Sequence, residues 1–160
     1  MTLDELLGEA RSRIRRLSPA AAWAAAAGGA LIVDIRSDED RDRDGVVPGS
    51  IHVPRTVLEW RLAPDSIWRN PHVEPDREIV VLCDHGYSSS LAAATLVELG
   101  VDAAEVAGGF EAWHQAGLPV ARAAGRREPG ELAGMGLFEP GTEKGGPEAA
   151  LPTDSRRPLR

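Results

Sequence analysis

The chain has 160 residues, 42% of them hydrophobic, a formal net charge of −7 and one cysteine. That length and apolar content suit one ordinary domain with a real core, and the acidic balance argues against nucleic-acid binding, which needs a basic face. A lone cysteine excludes an internal disulfide and any zinc site built on several thiolates.

The acidic start, Met1 to Glu5, does not read as a secretory signal. The apolar stretch from Ala20 to Val33 is too short to span a bilayer. A cytoplasmic protein with no membrane or nucleic-acid partner is the expectation. Leu3, Leu6, Leu7, Ala10, Ile14 and Leu17 recur at helical spacing, which predicts an N-terminal amphipathic helix over 1–17. Ser18-Pro19 reads as an N-cap and first helical residue. The alanine-rich helix that follows runs to about Ala27 and stops at Gly28-Gly29.

Leu31 to Ile35 reads as a buried strand. Asp38 to Asp44 is a solvated loop or short helix. Val46-Val47-Pro48-Gly49 marks a turn, followed by a short strand from Ser50 to Val53 and a helix from Thr56 to Leu62. Glu78 to Leu82 is a second buried strand. Cys83 to Ser88 is small and polar, and Ser88-Ser89 opens a helix closed by Gly100. Ala103 to Val106 is a further strand, and Phe110 to Ala116 a short helix ending before Gly117-Leu118-Pro119. Strands alternating with helices at this spacing predict an α/β domain with a parallel sheet. From Ala121, glycine and proline make up 12 of the last 40 residues. Residues 121–160 therefore read as a flexible Gly/Pro-rich tail, with Leu132 to Phe138 its one apolar patch.

The order strand, Cys83, small polar loop, helix places a thiol where ligands bind in open α/β sheets. Amides of the loop and first helical turn would face it, and the helix dipole adds positive potential. Both favour a thiolate. The same amides would hold an anion or a terminal persulfide sulfur without metal or external cofactor.

Cys83-Asp84-His85-Gly86-Tyr87-Ser88-Ser89 resembles the active-site loop of the rhodanese-like family, above all its single-domain thiosulfate sulfurtransferases, with the form Cys-x-His-Gly-x-Ser-Ser. Asp34-Ile35-Arg36 resembles the family's Asp-x-Arg element. Val47 to Pro54 resembles its Ile-Pro-Gly-Ala-x-Asn-x-Pro segment, and Gly108 to Trp113 through Pro119 its closing motif. The resemblance spans about 18–120. It implies a short parallel sheet flanked by helices on both faces. It also implies a sulfurtransferase in which Cys83 carries a persulfide and the backbone from Asp84 to Ser88 holds the sulfur, with hydroxyls of Ser88 and Ser89 assisting. The partners implied are a small sulfur donor, such as thiosulfate, and a thiol, protein thiol or cyanide acceptor. The alternative is a non-catalytic rhodanese-like module that binds a partner or senses sulfur.

The chain departs from that pattern in three places. Asp84 puts an acid in the loop, Ser90 stands where a lysine follows in the single-domain type, and Gly45-Val46 replaces Gly-His. An uncompensated Asp84 should weaken binding of a dianion, and Arg55, Arg61 and Arg69 are candidates for the missing positive charge. Asp34 and Arg36 are expected to pin neighbouring loops, and His85 to tune the site or face solvent. Trp113 reads as core, and Trp60 and Trp68 as structural or as walls of an acceptor pocket. His52, His72 and His114 lack ligand spacing, so no metal is expected. Phosphatases of this fold need Cys-x5-Arg, but Ser89 occupies the sixth position after Cys83. No arginine occurs from Cys83 to Val120, which argues against phosphate-ester hydrolysis.

Overall fold

The computed structural model describes residues 1–123. The chain forms a fully parallel five-stranded sheet in the order β1-β5-β4-β2-β3. Its strands are β1 (Arg15–Leu17), β2 (Leu31–Asp34), β3 (Ile51–His52), β4 (Ile79–Leu82) and β5 (Ala103–Val106). The three long strands are buried at every position, as expected when helices cover both faces of a parallel sheet.

Alternation along each strand divides the core in two. Val33, Ile51, Val81 and Ala103 face one layer, with α4 (Leu58–Leu62) and α5 (Ser88–Glu98) packed on it through Leu58 and Leu96. Ile32, Val80, Leu82 and Val106 face the other, under α2 (Pro19–Ala27) and α6 (Gly109–Gln115). Trp113 is fully buried there, edge-on to Trp23 at 5.6 Å, with its indole N–H donating to the Pro119 carbonyl.

The N-terminal helix is shorter than its apolar spacing predicts. A capping box of Thr2 and Glu5 starts α1 (Leu3–Ser12), and Arg13 ends it. Residues 15–17, read as its last turn, are instead the edge strand β1. Their backbone pairs with 104–106 of β5, and that ladder outweighs a last helical turn whose Arg15 and Arg16 have no apolar face to bury. Asp38–Asp44 forms a helix, α3, N-capped by Ser37. The segment from Thr56 begins as a 3-10 turn, Arg55–Val57, before α4.

The predicted tail lies outside the described residues beyond Ala123. Ala121 still belongs to the domain, bridging antiparallel to Val46. Among the described residues no helix is long and apolar enough to cross a membrane.

Candidate functional site: the Cys83 loop

β4 delivers Cys83 to the carboxyl edge of the sheet, and the chain must turn at once to enter α5. Gly86 makes that turn with φ of 85°, in the left-handed region that suits glycine. A Cβ on Gly86 would stand 2.7 Å from the Gly108 nitrogen, so the loop lies directly against the Gly108-Gly109 pair. Gly109 is held as tightly, since its Cβ would stand 2.5 Å from the Cys83 carbonyl oxygen.

The loop's carbonyls are tied on its outer side. Phe110 N–H donates to the Cys83 carbonyl at 2.8 Å, and Glu111 N–H to that of Asp84 at 3.0 Å. Arg11 donates to the Gly86 carbonyl at 2.8 Å, and Ser90 Oγ lies 3.0 Å from the same carbonyl. Amides of two other peptides in the loop point inward. Gly86 N–H and Ser89 N–H donate to Cys83 Sγ at 3.2 and 3.3 Å. The Ser89 amide lies one residue beyond the stretch expected to hold the sulfur.

Cys83 is 7% exposed, so the sulfur lies at the bottom of the loop. Its S–H donates to Ser89 Oγ at 3.2 Å. The Ser89 hydroxyl in turn donates to Glu105 Oε1 at 2.5 Å, and the Ser90 hydroxyl to Glu105 Oε2 at 2.7 Å. Ser88 and Tyr87 face solvent, and the Arg11 guanidinium stacks on the Tyr87 ring at 5.6 Å. His85 is exposed, with Nδ1 2.9 Å from Glu111 Oε1.

The parallel register sets Asp34 beside Leu82, which brings the Asp-x-Arg element to the loop. Arg36 grips Asp34 through Nε and Nη2 at 3.0 and 2.8 Å, and Nη2 also donates to the Gly45 carbonyl. The guanidinium packs over Phe110 at 4.1 Å. Among the described residues Arg36 Nη1 has no hydrogen-bond partner, and it lies 3.9 Å from Asp84 Oδ1.

Asp84 is not uncompensated. Burial, then its hydrogen bond to Asp40, raises its carboxyl above the usual range, while Arg36 opposes that shift. Asp40 moves the other way, lowered first by its hydrogen bond to Arg43 and then by Asp84. The pair holds a proton on the Asp84 side more readily than two separate carboxylates would.

The three candidate arginines are engaged elsewhere. Arg55 forms a two-pronged ion pair with Glu59 at 3.0 and 2.9 Å. Arg61 is buried and donates to the Trp68 carbonyl, and burial lowers it to about 10. Arg69 donates to the carbonyls of Asn70 and Val73. Arg61 and Arg69 thus staple the connection between α4 and β4. A further cation at the loop is Arg11, from α1, and the buried acid beneath it is Glu105. Sequence reasoning missed both. Glu105 carried a signal all the same, as an acid in the middle of a strand otherwise made of Ala and Val.

His52 is buried, with Nε2 2.7 Å from the Arg36 carbonyl. Burial and the neighbouring Arg41 push it below the usual histidine range. Among the described residues no group of three or more His, Cys, Asp and Glu side chains could hold a metal ion. A cleft of about 560 Å³ opens beside the loop, walled by Asp84, His85, Glu111, Arg43 and His114.

Residues 18–116 match the family model for the rhodanese-like domain. A thiosulfate sulfurtransferase GlpE from Pseudomonas savastanoi is 34% identical over 103 residues, covering 64% of this chain and 89% of that protein. A second thiosulfate sulfurtransferase GlpE, from Stutzerimonas stutzeri, is 38% identical over 100 residues, covering 62% and 84%. Among solved structures, a Rhodopseudomonas palustris protein of unknown function, described as a possible tyrosine phosphatase, superposes with a TM-score of 0.70 at 37% identity. That match covers 75% of this chain and 94% of the other. With the model spanning the domain from α2 to α6 and the curated relatives matched over most of their length, the chain belongs to the rhodanese-like domain family.

Proposed function

We propose that the protein is a sulfurtransferase that moves sulfane sulfur from thiosulfate or a related donor to a thiol or cyanide through a persulfide on Cys83. The observation that carries this reading is the convergence of the Gly86 and Ser89 amides on one sulfur at a helix N-terminus. Amides so placed stabilise negative charge on Sγ and on a sulfur added to it.

The Cys83 thiolate attacks the outer sulfur of thiosulfate, and sulfite leaves with the electron pair of the broken S–S bond. An acceptor thiolate or cyanide then attacks the outer sulfur, and Cys83 leaves as thiolate. This is covalent catalysis in two half-reactions, with ping-pong kinetics. Cys83 is the nucleophile, and the loop from Asp84 to Ser89 cradles the transferred sulfur. The cleft beside Asp84 and His85 gives the acceptor its approach. A lone persulfide-bearing thiol suits a reducing compartment such as the cytoplasm.

Phosphatase chemistry, named for the Rhodopseudomonas relative, finds no support at this loop. The position that needs an arginine holds Ser89, whose side chain is buried beneath the sulfur. The reading with a specific observation in its favour is a non-catalytic binding or sulfur-sensing module, since Asp84 adds an acid to the loop. Intact mass after incubation with thiosulfate, 3-mercaptopyruvate or glutathione persulfide separates the two. A gain of about 32 Da, absent in Cys83→Ser and discharged by cyanide or a thiol, supports the transferase. No gain with any donor leaves the binding module.

A further inference from the structure

Glu105 is a carboxylate with no exposed surface, lying in the middle of a buried sheet. It pairs in register with Val81, two residues before the nucleophile and on the same sheet face. A carboxylate without contact with water is costly unless its oxygens are satisfied. Here one oxygen accepts from Ser89 at 2.5 Å, and the other from Ser90 at 2.7 Å and Arg16 Nε at 2.6 Å. Because Ser89 spends its one proton on Glu105, the hydroxyl can only accept from Cys83 S–H, as it does at 3.2 Å. Cys83, Ser89 and Glu105 form an unbroken donor–acceptor chain that runs away from solvent.

We propose that Glu105 is a positioning residue that takes the Cys83 proton through the Ser89 hydroxyl during sulfur loading and returns it on discharge. The idea rests on the sulfur-transfer reading for its chemistry. On loading, the S–H bond breaks and its proton joins Ser89 Oγ, while the proton already on Ser89 passes to Glu105 Oε1. The electron pair left on Sγ attacks the donor's outer sulfur. Ser89 then points its new proton at Sγ, and Glu105 is a neutral acid. On discharge Cys83 leaves the persulfide as thiolate, and the two transfers then reverse to return its proton.

The charges around Glu105 permit this. Arg16 from β1 holds the carboxylate, and its side chain is 34% exposed, so water can take over its charge when Glu105 is protonated. Arg11 from α1 reaches the same network through Ser90 at 3.0 Å. Cys83 meets it from the end of β4 through Ser89.

The test compares wild type with Glu105→Gln, which keeps size and polarity but cannot take a proton. Single-turnover loading by thiosulfate is read by intact mass between about pH 6 and about pH 9. Glu105→Gln should load about tenfold more slowly at the acid end and approach wild type at the alkaline end, where bulk base replaces the relay. Ser89→Ala, which leaves Glu105 in place, should show the same profile and stands in if Glu105→Gln does not fold. A loss uniform across pH, or none, overturns the relay. Alkylation of Cys83 by iodoacetamide across the same range keeps the two ideas apart. If no donor loads wild type but both variants show the same pH-dependent slowing of alkylation, sulfur transfer fails and the relay stands. If wild type loads normally and the variants match it at every pH, the relay fails alone.

Discussion

The Arg11 guanidinium donates to the Gly86 carbonyl at 2.8 Å and to Ser90 Oγ at 3.0 Å, so a residue of the first helix holds the Cys83 loop from outside. On the proposed sulfur-transfer reading it stands in for the basic residue that the loop lacks. It does so by keeping the Gly86–Tyr87 peptide turned outward and by placing positive charge beside the loop. Arg11→Ala should slow loading of Cys83 by about tenfold, with Arg11→Lys intermediate because an ammonium cannot bridge both oxygens in the same geometry. Equal rates in all three proteins by intact-mass kinetics would remove Arg11 from the site.

Asp84 bears on which donor binds. Its carboxyl is raised by burial and by Asp40, so it sheds its negative charge as pH falls through that raised range. The Michaelis constant for thiosulfate should improve on the acid side in wild type. Asp84→Asn should lower that constant about two- to fivefold at neutral pH, in line with a partly exposed charge, and remove the acid-side improvement. An unchanged or higher constant in the variant would defeat the electrostatic argument.

His52 makes stability depend on pH in the opposite sense to a paired histidine. Burial and Arg41 lower it, against weaker opposing effects from the Arg36 carbonyl, Asp34 and Asp38. The unfolded chain therefore binds the proton more readily than the native one. This contribution is fully present above the ordinary value of about 6.5. It is lost as pH falls from there through the lowered native value. Thermal melts of wild type should decline over that window more steeply than those of His52→Gln, and parallel declines would reject the assignment.

Gly109 couples the closing motif to Cys83. Its φ is 65°, and a Cβ there would meet the Cys83 carbonyl oxygen at 2.5 Å, a backbone atom that cannot swing aside. Gly109→Ala should cost about 1–3 kcal/mol and slow sulfur loading as well, because the clash displaces Cys83 itself. Denaturant melts and loading rates measured on the same preparation test both parts. Wild-type stability in the variant would contradict the packing.

Chain order and local chemistry were enough to read much of this molecule. Leu31–Asp34, Ile79–Leu82 and Ala103–Val106 are short, dense apolar runs, and such runs have few options besides a buried strand. The Cys83 loop was legible because a glycine turn between a strand and a helix N-terminus is a local arrangement. β1 was not, because Arg15 and Arg16 carry no strand pattern and Ile14 and Leu17 continue the helical spacing. Only pairing with β5, nearly ninety residues away, makes 15–17 a strand.

The place of Cys83 and the path of its loop were thus determined by neighbouring residues, through turn geometry. The charges that surround the sulfur were decided by the tertiary structure. Arg11, Arg36 and Glu105 lie on α1, after β2 and in β5. They meet at the loop because the sheet order sets β4 between β2 and β5, with α5 packed across that face. Electrostatic coupling depends on distance through space, and packing alone sets that distance.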